Sequence, residues 1–283
     1  MNPDEISRLV DKIKLSNHDD QKVILLEEDW KLGRDRMANC LAAQVISVKN
    51  VNREAFRSQI TRIMQLKGKV VIESVGNNTF IMDFAHKVDR NMALCEGPWN
   101  FFQDLIVLKD VQGLVHPHSI KFDEISIWAQ CHNVPLAFLN KNTLAKIGSH
   151  IGVVEEVDEG LNGSCLGQFS RIRVRINITK PLKKFIRVST GMDHDDNIII
   201  VSYERLPDFC YRCGIIGHSF RTCEASMGEN ISMEYGSWMR ATSKMRGRAS
   251  PNKLAVLLLT HRTMISIMPT TQKSRQNPLN RSQ

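Results

Sequence analysis

The chain has 283 residues, of which 42% are apolar and 24% charged, a composition typical of folded domains with a core rather than of a disordered or fibrous chain. Its longest uncharged apolar run, residues 254–260, is far shorter than a membrane-spanning helix, and residues 1–10 lack the hydrophobic region of a signal peptide, so we expect an intracellular protein with no membrane partner. Seven cysteines are few for a disulfide scaffold, and three lie between Cys210 and Cys223, which favours a reducing compartment and a metal site.

The net charge of +8 is unevenly distributed. Residues 235–283 contain nine Lys/Arg and no acidic residue, and residues 160–192 contain seven Lys/Arg and no acidic residue. Concentrated positive charge favours a polyanionic partner, because neutralising phosphates releases counterions. A solvated surface is the alternative for either run.

The first 37 residues are predicted to form a helical lead and a linker. Asn2-Pro3-Asp4-Glu5 is typical of a helix start, and apolar residues follow at helical spacing. Residues 15–37 are polar and mixed, so we expect them to connect domains rather than to form regular structure that contributes to a core.

Residues 38–110 show the pattern of a ferredoxin-like α+β domain. Predicted strands and helices alternate in the order β-α-β-β-α-β, which places two helices on one face of a four-stranded antiparallel sheet. The predicted elements are strands 41–46, 69–75, 79–85 and 105–108, a helix over 52–65, and a second helix marked by Val88, Met92 and Cys95.

RNA-recognition motifs share this topology and stack bases on aromatic residues of the third strand. Here the alternation places Phe80, Met82 and Phe84 toward the core, and the outward positions Thr79, Ile81 and Asp83 carry no aromatic ring. We therefore interpret the domain as a scaffold or protein-contact module, one that could assemble copies of the chain, in preference to a nucleic-acid-binding domain.

Residues 111–205 are predicted to form a second small α+β unit, with strands near 126–132, 153–157, 170–178, 185–189 and 198–203 and a helix over 141–150. In the strand over 170–178, Arg171, Arg173 and Arg175 alternate with aliphatic residues, so all three guanidinium groups share one face. A nucleic-acid-binding strand and an ordinary solvent-facing strand are both open interpretations.

The segment 206–224 carries the clearest chemical motif. Its spacing C-x2-C-x4-H-x4-C predicts a structural zinc site, because the first two thiolates bracket a tight turn and the returning chain closes a tetrahedral shell. The predicted ligands are Cys210, Cys213, His218 and Cys223.

We predict no enzymatic activity. Four protein ligands leave the metal no open position, and the deaminase, P-loop, nucleophile-elbow and zinc-protease motifs are absent from the sequence. The remaining residues, 225–283, are predicted to be a basic and mostly disordered tail.

The segment 210–223 resembles the CCHC zinc knuckles of retroviral nucleocapsid proteins. The resemblance implies binding of single-stranded RNA or DNA, with an unpaired base held in a cleft between Tyr211 and Phe220. We expect Arg212 and Arg221 to assist, together with the arginine-bearing strand. Ile215 and Ile216 stand where nucleocapsid knuckles often carry charge, which leaves open a protein-contacting knuckle.

A wider set of residues resembles a plant family in which a domain of unknown function is joined to a CCHC knuckle. The resemblance rests on Glu96-Gly97-Pro98-Trp99, Trp128, the segment 203–209 before the knuckle, and the segment 235–241 after it. Such proteins are similar to the gag-like first open reading frame of LINE retrotransposons. The resemblance implies zinc and nucleic-acid binding, and with the basic charge it favours the nucleus over the cytoplasm.

Overall fold

Two largely antiparallel sheets follow one another along the chain in the computed structural model. The structure describes residues 23–111, 119–159, 165–189, 196–224 and 233–242, together with Leu9, Lys12 and His116. The predicted N-terminal helix, apart from Leu9 and Lys12, lies outside these ranges. The predicted tail, 225–283, also lies outside them apart from residues 233–242, which differ from the prediction because they include a short strand, Arg240–Ala241, paired with the second sheet. The described residues all belong to one compact unit.

The elements of the first half of the chain are α1 Glu27–Met37, β1 Cys40–Ile46, α2 Arg53–Ile63, β2 Val70–Gly76, β3 Thr79–Phe84, α3 Lys87–Cys95, β4 Trp99–Phe101 and β5 Asp104–Asp110. The five strands form the first sheet in the order β2-β3-β1-β5-β4. Helices α2 and α3 connect β1 to β2 and β3 to β4, so the predicted ferredoxin-like domain is confirmed. The short strand β4, which pairs with β5, was not predicted.

Alternation along the strands builds the core of this sheet. Phe80, Met82 and Phe84 are buried toward the helices, as predicted, and Phe80 stacks on Phe56 of α2 with the ring centroids 4.3 Å apart. The Asn52 side chain accepts the N–H of Ala55 at 3.0 Å and so begins α2.

A helix, α1 (Glu27–Met37), forms where we expected a connection. Acidic residues occupy its first turn and Arg34 and Arg36 its last, an arrangement that complements the helix dipole. The Asp29 carboxylate accepts the N–H of Leu26 at 2.7 Å, and Arg36 reaches Asp83 at 3.0 Å. Local charge rather than an apolar face stabilises α1, since none of its residues is buried.

The buried face of α3 also differs from the prediction. Val88 and Cys95 are exposed, whereas Asp89, Arg90 and Ala93 are buried. Asp89 accepts the N–H of Gly68 at 2.7 Å, and Arg90 pairs with Asp110. These polar partners come from a loop and a strand end, so apolar periodicity alone could not find this face.

The elements of the second half are β6 Glu124–His132, α4 Lys141–Ser149, β7 Val153–Val157, β8 Ser170–Asn177, β9 Phe185–Val188, β10 Asn197–Glu204 and β11 Arg240–Ala241. The strands form a second sheet in the order β11-β10-β6-β8-β7, with β9 and β11 on the same edge of β10. Helix α4 packs on β7 and β8, so the predicted second α+β unit is confirmed.

The two sheets share apolar packing. Leu105 and Val107 of β5 belong to the buried cluster of the second sheet, and Ile46 of β1 packs against that cluster. Part of the first sheet's helix-free face is therefore covered by the second half of the protein.

Candidate zinc knuckle and its surroundings

The knuckle begins directly after β10 as a short hairpin. Phe209 and Ile216 form an antiparallel bridge, and the Cys210 N–H donates to the Ile215 carbonyl at 2.9 Å. The turn of the hairpin is closed by a hydrogen bond from the Gly214 N–H to the Cys210 carbonyl at 2.9 Å. Gly214 has a φ of +74°, a conformation that favours glycine.

This hairpin brings the four predicted ligands together. Their ligating atoms all lie within 4.8 Å of one another, and Cys213 Sγ lies 3.3 Å from His218 Nε2. A tetrahedral zinc ion with Zn–S bonds of about 2.3 Å separates its ligand atoms by about 3.8 Å. The cluster therefore fits a metal ion, and a set of three thiolates and one imidazole is typical of structural zinc.

The surroundings of the thiols differ. Burial raises the pKa of Cys210, but hydrogen bonds from the backbone N–H groups of Cys213 and Arg212 outweigh it, so the net pKa is lowered. Burial raises the pKa of Cys213 to about 11. Backbone N–H groups thus favour the thiolate form of Cys210, which is the form that binds a metal ion.

The knuckle is docked on the rest of the protein. Ile216 is buried in the core cluster of the second sheet, and the Leu182 N–H donates to the Gly214 carbonyl at 2.9 Å. On its other side, the Tyr235 N–H donates to the Tyr211 carbonyl at 3.1 Å. A Cβ on Gly214 would meet the Tyr235 ring at 2.4 Å. The segment 235–241 was predicted only as part of the plant-family resemblance and not as a support for the site.

The two predicted base-stacking aromatics differ in exposure. Tyr211 is half-buried, packs against the core of the second sheet, and lies 5.1 Å from Phe209 between ring centroids. Phe220 is 40% exposed. The Arg221 guanidinium lies 5.8 Å from the Phe220 ring centroid, so an exposed aromatic and a cation adjoin each other. Arg212 is half-buried.

Arg171 lies in a network of charged and aromatic groups. Its guanidinium forms two hydrogen bonds of 2.8 Å to the buried Glu204 carboxylate, and its Nη1 lies 3.5 Å from Asp158. It also stacks 3.8 Å above the Trp128 ring. Gln130 donates to Glu204 at 2.8 Å. Trp128 and Glu204 both belong to the plant-family resemblance, but no local pattern predicts that they contact Arg171. Only the pairing of β6 with β8 and β10 brings Glu204 near it.

Arg173 and Arg175 share the face of Arg171, as the alternation predicts. The carboxylate of Glu155 lies 3.3 Å from Arg173 and 3.9 Å from Arg175. Glu124 lies 4.0 Å from Arg175, whose side chain is 46% exposed. Carboxylates on neighbouring strands therefore face these cations.

The helix-free face of the first sheet lacks a base-stacking platform. The residues of β1, β3 and β5 on this face include no aromatic side chain. Asp83 pairs with Arg36, Cys40 is buried, and Val107 packs into the second sheet's core.

The chain matches two family profiles. Residues 33–112 match a Domain of unknown function (DUF4283), and residues 176–225 match a Zinc knuckle. The second match begins well before Cys210 and so includes β9 and β10. No helix in the described ranges is long and apolar enough to cross a bilayer.

Similar proteins include an Arabidopsis thaliana protein described as uncharacterized, At4g02000, which is 26% identical over 99 residues, or 35% of this chain. The chain spans about a third of that relative, since the match covers 31% of its length.

Two solved structures show some likeness to this chain. The first two RRM domains of yeast poly(U) binding protein Pub1 are 11% identical with a TM-score of 0.19, and the match covers 58% of this chain and 98% of that chain. The C. elegans NONO-1 homodimer is 12% identical with a TM-score of 0.23, and the match covers 82% of each chain. TM-scores this low do not support a fold assignment, and the fold is assigned from the strand pairing described above. The chain thus joins a segment similar to the domain of unknown function DUF4283 to a zinc knuckle.

Proposed function

We propose that the protein binds single-stranded nucleic acid, RNA or DNA, through its zinc knuckle and has no catalytic activity. The observation that carries the proposal is the exposed Phe220 ring beside Arg221, on a knuckle whose four ligand groups converge. An exposed ring stacks on an unpaired base, and an adjoining guanidinium binds phosphate. Four protein ligands would close the coordination shell, which favours a structural metal over a catalytic one.

The proposal gives the basic tail an electrostatic role and does not use Arg171 or Arg173. Residues 243–283 carry eight Lys/Arg and no acidic residue, so they would add salt-sensitive affinity. Arg171 and Arg173 already face carboxylates at 2.8 to 3.5 Å. A phosphate would have to displace those carboxylates, and a nucleic-acid contact by Arg171, Arg173 or Arg175 stays a prediction.

Fluorescence anisotropy with labelled 20-nucleotide oligomers tests the proposal. Zinc-saturated protein should bind single-stranded RNA or DNA more tightly than a duplex of the same sequence, because only unpaired bases offer a free face to Phe220. Equal affinity for the duplex, or no binding at micromolar protein, would remove the single-strand proposal.

Self-association through the first sheet is a second candidate function. The edge strand β2 exposes Val71 and Val75, and an edge with apolar side chains and unpaired backbone groups is a template for another chain. Light scattering after size-exclusion chromatography should then show a dimer that Val71→Lys converts to a monomer. A knuckle that contacts a protein has less support, because Ile216 is buried within this chain.

A gag-like origin and a nuclear location are further parts of the proposal. They rest on the resemblance of the knuckle and its flanking segments and on the basic charge. Crosslinking in cells, followed by sequencing of the recovered nucleic acid, should enrich transcripts of mobile elements. Recovery of only abundant cytoplasmic RNA would contradict both.

A further inference from the structure

We propose that the loop between β8 and β9 supplies a second contact for the nucleic acid, a phosphate-binding cleft formed by Lys180, Lys183 and His150. This inference rests on the proposed function and names the part of the surface that would hold the strand's backbone.

The loop backbone is held in place at three points. The Leu182 N–H donates to Gly214 of the knuckle at 2.9 Å, and the Leu182 side chain is buried. The buried Tyr203 hydroxyl donates to the Lys183 carbonyl at 2.9 Å, and the Val201 N–H donates to the Lys184 carbonyl at 2.9 Å. Binding a ligand would therefore cost little ordering of the loop backbone.

The loop lines a cleft of about 180 Å³ that has basic groups and no carboxylate among its lining residues. Lys180, Lys183 and His150 contribute the basic nitrogens. Two other clefts in the described part of the chain contain acidic groups, Glu73 and Asp83 in one and Glu124 and Glu155 in the other. The loop cleft thus has the charge that suits an anion.

The lysines of the loop are not equivalent. Lys184 is neutralised by Glu234, at 2.7 Å. Lys180 and Lys183 are exposed, and neither has an ion pair with a carboxylate in the described ranges. An ammonium group with three donors is well suited to phosphate oxygens, and at Lys180 and Lys183, unlike at Arg171, a phosphate would displace no carboxylate of the described residues.

The cleft adjoins the knuckle through Leu182, which lines it. Gly214, which accepts the Leu182 N–H, is next in sequence to the ligand Cys213. A single strand bound by both features would place a base on Phe220 and neighbouring phosphates at the loop. The partner that fits both features is one single-stranded nucleic acid.

A double variant with a matched control tests the inference. Each phosphate contact on a single strand contributes about −0.7 to the slope of log affinity against log salt, so a contact strengthens binding about fivefold between 1 M and 0.1 M salt. Lys180→Ala/Lys183→Ala should make the slope less negative by about 1.4 and weaken binding about 25-fold at 0.1 M salt. The control Lys67→Ala/Lys69→Ala removes the same charge from exposed positions beside β2, the edge strand of the first sheet farthest from β4.

The control should keep most of the parent's affinity and slope, and both double variants should keep the parent's zinc content and Tm. An oligomer with neutral methylphosphonate linkages should bind the parent and Lys180→Ala/Lys183→Ala equally, because it has no charged phosphate to lose. Equal losses of affinity in the two double variants would refute the proposed cleft, as would a loss of affinity that persists on the neutral oligomer. Neither result would contradict the proposal that the knuckle binds nucleic acid. A parent that binds no oligomer at all would overturn both.

Discussion

Gly217 of the knuckle lies directly against Ile46 at the end of β1. A methyl group on the Gly217 Cα would come within 2.8 Å of Ile46 Cγ2, and the φ of Gly217 is +96°. Ile46 also packs against the second sheet's core, so the first sheet, the second sheet and the knuckle meet at this contact.

Gly217→Ala is therefore expected to reduce the free energy of unfolding by about 1–3 kcal/mol, since it adds both a clash and an unfavourable φ. Urea denaturation measures it. The control is Gly33→Ala in α1, where a Cβ would meet nothing within 4 Å. That change should stabilise the protein by up to about 1 kcal/mol through helix propensity, if at all. Equal stability of Gly217→Ala and the parent would refute the contact.

Removal of the histidine ligand should affect more than the knuckle. The sequence alone suggests that His218→Ala unfolds only the knuckle, but Ile216 and the Leu182–Gly214 hydrogen bond tie the knuckle to the second sheet. His218→Ala should lose zinc in elemental analysis and lower the Tm of the whole unit by more than about 5 °C, because 1 kcal/mol shifts Tm by about 2–4 °C at this size. A separate early transition with the main Tm unchanged would show an independent knuckle.

Substitution of Phe220 should mainly affect nucleic-acid binding, whereas substitution of Tyr211 should mainly affect stability. Phe220→Ala removes an exposed ring, so it should weaken single-strand binding roughly five- to 150-fold with little change in Tm. Tyr211→Ala removes a ring that packs on Phe209, so it should lower Tm. Anisotropy and calorimetry on both variants check this. Unchanged affinity of Phe220→Ala at full zinc content would exclude base stacking at Phe220.

The Arg171–Glu204 pair should be structural. Glu204→Gln leaves the Arg171 charge without its buried partner and should cost about 3 kcal/mol of the free energy of unfolding, since Asp158 at 3.5 Å compensates only in part. The exposed pair Arg187–Asp196 supplies the control, and Asp196→Asn should change stability by less than about 1 kcal/mol. Chemical denaturation of the two variants is the measurement. Comparable effects would contradict a buried network.

His132 should make stability depend on pH. Burial lowers its pKa below the ordinary value of 6.5. As the pH falls through 6.5, His132 therefore takes up a proton in the unfolded chain but not in the folded chain. The contribution of the neutral, buried His132 to stability is present above pH 6.5 and is lost as the pH falls below it. Below pH 6.5 the free energy of unfolding decreases by at most about 1.4 kcal/mol per pH unit from this group. His132→Gln should show a smaller decrease between pH 7 and 5.5, and parallel curves for the parent and the variant would contradict it.

Local patterns of the sequence determined the strands, most of the helices and the metal ligands. The ligands Cys210 to Cys223 lie within one short segment, so their spacing along the chain is enough to predict that they converge. Alternation in β8 was enough to place Arg171, Arg173 and Arg175 on one face, because successive side chains of any strand point to opposite sides. The short strand β4 was missed because three residues carry too little pattern.

Only the tertiary structure decided what those residues contact. Glu204, the partner of Arg171, lies on β10 and comes near it through the order of strands β10, β6 and β8, which no local pattern specifies. Ile216 is an apolar residue in a small motif, and only docking of the knuckle shows that this chain's own core buries it. Strand order and docking depend on contacts between residues far apart in sequence, whereas spacing and alternation report only on neighbours along the chain.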